Sequence, residues 1–83
     1  MFINKTKDGK NNLCGPRVTV LRKERKWSQR MLADKLQLAG LDLDKNAIQR
    51  IEAGLRFVTD IELLALSRVL EVPLPDLLSA TEE

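Results

Sequence analysis

The chain has no histidine, no tyrosine and a single cysteine among its 83 residues. Those absences remove most of the side chains that carry acid–base, nucleophilic or metal chemistry. With no second thiol, Cys14 cannot close an internal disulfide, and the usual zinc ligand sets cannot be assembled. Such cysteine usage agrees with a reducing, cytoplasmic setting. Aromatic residues are scarce at 4%, whereas 43% of the chain is hydrophobic, mostly Leu, Val, Ile and Ala. That balance favours packed helices over a β-sandwich. No apolar run approaches the roughly 20 residues of a membrane span, and the N-terminus lacks a secretory-type apolar stretch. The expectation is one small, non-enzymatic domain with no cofactor and no metal, near the lower size limit for folding unaided.

What is present is charge, and it is unevenly placed. Residues 1–56 hold thirteen Lys/Arg against six Asp/Glu, a net +7, whereas residues 57–83 hold one Arg against six acids, a net −5. Separation of this kind in a small domain points to one face that meets a polyanion and another that does not.

Residues 1–13, rich in Lys, Asn and Gly and without periodicity, read as a flexible N-terminal arm. Residues 14–79 read as a helical domain and 80–83 as a disordered tail. Gly15-Pro16 opens a first helix, because Pro pre-sets φ for a first-turn position, and the helix should end near Lys26. Ser28 is the N-cap of a second helix with Leu32, Ala33 and Leu36 as its buried stripe and Gly40 as its stop. Asp44, with Asp42 as the fallback, caps a third helix whose inner face is Ala47, Ile48 and Ile51, ending at Gly54. Thr59-Asp60-Ile61-Glu62 is a capping box that starts a fourth helix on Leu63, Leu66, Ser67 and Leu70. A short fifth helix is expected from about Pro75 through Leu78. The fold class is therefore all-α, a compact bundle of five short helices.

The stretch from Trp27 to Gly54 carries the functional signal: two helices joined by a turn, the second polar and basic on one face and apolar on the other. A protein needs such an arrangement to push one helix into the DNA major groove while its neighbour braces it. Val18-x-x-Leu21-Arg22, Ser28-Gln29, Leu32-Ala33-x-x-Leu36, Ile48-Gln49-Arg50-Ile51-Glu52-Ala53-Gly54 and Leu63 through Val72 stand in order at helix-compatible spacing. From about Gly15 to Leu78 the chain resembles the Cro/CI-type (Xre) helix-turn-helix family of phage repressors and bacterial regulators. The resemblance implies a lambda-repressor-like fold and a sequence-specific regulator of transcription, a repressor, bound to double-stranded DNA.

The resemblance also implies roles residue by residue. Gln29 matches a position that bonds a phosphate at the start of the second helix, where free N–H groups favour an anion. Lys45, Asn46, Gln49 and Arg50 match positions that face the major groove, where Lys and Arg can read guanine and Asn and Gln adenine. Arg22 and Glu52 match an ion pair tying the first helix to the third, with Arg22 also near a phosphate. Ala47 suits either a thymine methyl or the core, and Trp27 reads as a plug between helices.

Three departures from the family pattern stand out. Arg30 and Met31 follow Ser28-Gln29 where acids are common, which makes Arg30 a phosphate candidate alongside Lys26 and Arg56. The span from Leu36 to Ile48 is about five residues longer than the usual tight turn, so an extra helical turn and a longer loop plugged by Leu41 and Leu43 are expected. Glu71 and Pro73 replace a frequent Gly and Ser.

A single module reads few base pairs, so a homodimer on a near-palindromic operator is expected. Leu74, Leu77 and Leu78 are the candidate interface or else the last part of the monomer core. The rival reading is an antitoxin or adaptor whose main partner is a protein. Cys14 reads as a small buried residue, with redox sensing as its alternative.

Overall fold

A computed structural model of the chain describes residues 5–78. The expected tail, residues 80–83, lies outside them, as do the first four residues of the expected arm. Among the described residues there are five helices and no strand: α1 (Gly15–Glu24), α2 (Gln29–Leu38), α3 (Lys45–Glu52), α4 (Asp60–Leu70) and α5 (Leu74–Leu78).

Three helices begin on the side chains that the sequence offers. Ser28 Oγ accepts from the Met31 N–H, Asp44 Oδ1 from the Ala47 N–H at 2.8 Å, and Thr59 Oγ1 from the Glu62 N–H. Glu62 reaches back to the Thr59 N–H at 3.0 Å, completing the capping box. α1 starts differently. Its N-cap, Cys14, makes no side-chain cap, and Pro16 occupies the first turn. The Gly15 N–H is satisfied instead by Asn12 Oδ1 at 2.9 Å.

The first four helices close in one way, with a left-handed residue after the last turn and an N–H bonded five residues back. The pairs are Trp27 to Arg22, Leu41 to Leu36, Leu55 to Arg50 and Val72 to Ser67. The left-handed positions are Gly40 and Gly54 in two cases, and Lys26 (φ 60) and Glu71 (φ 59) in the other two. α1 accordingly stops at Glu24, and Lys26 belongs to the turn.

Val18, Leu32, Leu36, Ile48, Ile51, Leu66, Leu70 and Leu77 have no exposed surface and form one core between the helices. Leu77 thus completes the monomer core and cannot serve as an interface residue, whereas Leu74 and Leu78 stay on the surface. Cys14 is buried, and burial pushes its thiol up to about 11, so it stays protonated and unreactive at neutral pH.

Two regions depart from expectation, the first only in part. The long span before α3 is the expected loop, with Leu43 buried and Leu41 packed against the core, but it adds no helical turn between Gly40 and Asp44. Residues 5–13 are ordered by hydrogen bonds. Thr6–Lys10 makes a turn, and the Asn11 N–H donates to Gly54 O, so the segment lies against the end of α3. The cause is side-chain amides meeting helix-end carbonyls, which hydrophobic periodicity does not register.

Candidate nucleic-acid interface

α3 has eight residues, and its two faces are opposite in character. Ile48 and Ile51 are fully buried, while Lys45, Asn46, Gln49 and Arg50 are exposed. The spacing i, i+1, i+4, i+5 puts those four polar groups on one side of a helix. Chemically they are two cations and two amides, groups of the kind that can hydrogen-bond guanine and adenine edges. Ala47 is half-buried at the margin and packs against the core.

What holds this helix is a polar triad. Arg22 on α1 grips Glu52 on α3 with Nε to Oε2 at 2.6 Å and Nη2 to Oε1 at 3.1 Å. Gln29, the first residue of α2, donates its side-chain amide to the same Oε1 at 3.0 Å. The third Arg22 nitrogen, Nη1, donates to Trp27 O at 2.8 Å. One carboxylate therefore joins α1, α2 and α3. Buried charges are stable only when paired and hydrogen-bonded in this way. With side chains 10% and 8% exposed, Arg22 and Glu52 are committed inwards.

The expected phosphate contacts separate into two groups. Arg30 in the first turn of α2 and Lys26 in the turn before it are exposed, and Gln29 is half-buried beside them. Arg22 has its guanidinium engaged by Glu52 and Trp27. Arg56 is also engaged, pairing with Glu62 through Nη1 to Oε1 at 2.9 Å and Nη2 to Oε2 at 3.0 Å. This fork holds the Glu62 carboxyl below its ordinary value and raises Arg56 above its own.

Sequence reasoning did not see that second pair. Glu62 already had a role as a cap, and Arg56 six residues earlier lies in a loop with no helical spacing to link them. Nor did it see Arg25, which donates to Leu21 O at 3.0 Å and to Leu70 O at the C-terminal end of α4, where a cation is favoured. Trp27 fills the space beside it as a plug, with Lys35 Nζ 4.6 Å from the ring centre.

The arrangement defines a class: a helix-turn-helix domain whose second helix of the pair, α3, turns a polar face outward. Residues 20–77 match the family model described as helix-turn-helix, so the chain belongs to the helix-turn-helix family of the Xre, Cro/CI type. It is a DNA-binding regulator of transcription. Among solved structures it is similar to the restriction-modification controller protein C.AhdI from Aeromonas hydrophila, at 30% identity and a TM-score of 0.66. That match covers 76% of this chain and 88% of the controller protein. Among curated proteins, none matches the chain. No described helix is long and apolar enough to cross a membrane.

Proposed function

We propose that this protein is a sequence-specific repressor that inserts α3 into the major groove, with Lys45, Asn46, Gln49 and Arg50 reading base edges. The observation that carries the reading is the two-faced α3, exposed on exactly those four side chains and locked on its back by the Arg22–Glu52–Gln29 triad. Gln29, Arg30 and Lys26 contact the phosphates along the groove edge. Arg22 and Arg56 serve mainly by holding the framework, their charge reaching the backbone as background field. Two copies bind a near-palindromic operator with half-sites about one turn apart. Leu55, Phe57 and Ile61, exposed between α3 and the first turn of α4, are better placed for the dimer contact than the leucines of α5. The likeness to a restriction-modification controller supports regulation by a DNA-binding domain of this size.

Selection of bound duplexes from a random pool tests this. A near-palindromic site should emerge, bound with a steep dependence on salt as counterions are released. Gln49→Ala should then cost ~1–3 kcal/mol on that site and relax the preference at one base pair. Equal affinity for selected and random DNA at physiological salt would sink the proposal.

A further inference from the structure

The carbonyls that end a helix have no partner within it and must find one elsewhere. At the exit of α3, three consecutive residues, Lys10–Asn12, bond one carbonyl of its last turn, that of its C-cap Ala53, and those of the loop that follows. Lys10 Nζ donates to Ala53 O at 3.4 Å, which also sets a cation at the negative end of the helix. The Asn11 N–H donates to Gly54 O at 2.8 Å and its side chain to Leu55 O at 3.0 Å. Asn12 Nδ2 spans Ile51 O at 3.1 Å and Arg56 O at 2.8 Å, while its Oδ1 accepts from the Gly15 N–H at 2.9 Å. Asn12 alone therefore ties the beginning of α1, the last turn of α3 and the loop that follows. The family match begins only at residue 20, so this segment is not part of it.

We propose that Lys10–Asn12 is a strap fixing the exit of the recognition helix, with Asn12 a positioning residue for operator discrimination. The proposal rests on the reading of α3 as the base-reading helix. Base-edge hydrogen bonds need short distances and near-linear angles, so they fail when α3 can pivot. Phosphate attraction is long-ranged and tolerates the same motion. Loosening the strap therefore lowers specific binding and leaves non-specific binding in place.

The test compares Asn12→Ala, Asn12→Asp and Asn11→Ala with the unmodified chain. Asn12→Asp keeps the acceptor for Gly15 but loses both donors and turns an anion toward two carbonyls. At a temperature where circular dichroism shows full helix content, affinity is measured for the selected operator and for random duplex at equal salt. Each Asn12 variant should lose about tenfold on the operator, the worth of roughly one hydrogen bond, and stay within about twofold on random DNA. Asn11→Ala should show a smaller loss of the same kind. Without DNA, amide exchange at Gly54 and Leu55 should quicken in all three. A folded Asn12→Asp protein with its full operator preference, or with equal losses on both DNAs, overturns the strap. If the Asn12 variants do not fold, the Asn11→Ala ratio decides alone. An unmodified chain with no sequence preference removes the DNA reading and this role together, a failure seen before any variant is made.

Discussion

Two forked Arg–Glu pairs occupy two regions of this molecule, and they do different work. Arg22–Glu52 joins residues thirty apart on α1 and α3 and is nearly sealed, with side chains 10% and 8% exposed. Arg56–Glu62 joins residues six apart at the start of α4; its Glu62 is nearly as buried, at 11%, but Arg56 is 32% exposed. The first is largely cut off from solvent, so a lost partner is hard to replace and the pair fixes how the helices stand relative to one another. The second stiffens a loop that water can still reach. Identical chemistry thus sets geometry in one place and steadies a local turn in the other.

The largest break should come from Glu52→Gln, which strands the Arg22 guanidinium in the interior and weakens the anchor of Gln29. Urea unfolding should show a loss of about 3–5 kcal/mol, and operator affinity should fall even where the protein remains folded. Glu62→Gln should cost less, about 1–2 kcal/mol, because the Arg56 it leaves behind reaches water and only one capping interaction weakens with it. Operator binding by the folded fraction should hardly change. Equal losses from the two substitutions would erase the distinction between the regions.

Acid sharpens it further. The folded pKa of Glu62 is depressed below 4.5, chiefly by the Arg56 hydrogen bond. Its stabilisation is therefore complete above the unfolded value and is lost as pH falls from about 4.5 through the lower folded value. Thermal melts between pH 5 and pH 3 should show a smaller decline for Glu62→Gln than for the natural chain. The smallest effect has the opposite sign. Glu71 ends α4 in the left-handed region at φ 59, where a side chain is strained. Glu71→Gly should raise stability by about 0.5–1 kcal/mol without altering DNA binding.

Much of this architecture was legible in the residues. Ser28, Asp44 and Thr59 cap as expected, because capping is a local contest between a side-chain oxygen and free N–H groups. The apolar stripes found the core for the same reason: helical period is written in the chain. The Arg22–Glu52 contact was reached through family resemblance, since nothing local connects residues thirty apart. What stayed hidden lacks period altogether. Asn11 and Asn12 read as loop residues, and only the folded chain brings the carbonyls of Ile51, Leu55 and Arg56 within their reach. The long span before α3 was legible in part: Leu41 and Leu43 plug the loop as expected, but a Gly-Leu-Asp-Leu stretch does not say whether a helical turn accompanies it. Leucines 74, 77 and 78 looked alike in sequence, yet the rotation of a single helical turn buries Leu77 and exposes the other two.

Gly15 gives the domain a mechanical property of its own. A Cβ there would stand 2.5 Å from the carbonyl oxygen of Ile51 and 3.1 Å from that of Glu52. The first helix and α3 thus bear on each other with less clearance than a methyl group occupies. Alanine at this position would act as a wedge, tilting the exposed face of α3 while every side chain on it remained unchanged. The aim of α3 is in this sense machined into the backbone, and a residue bearing no side chain sets its tolerance.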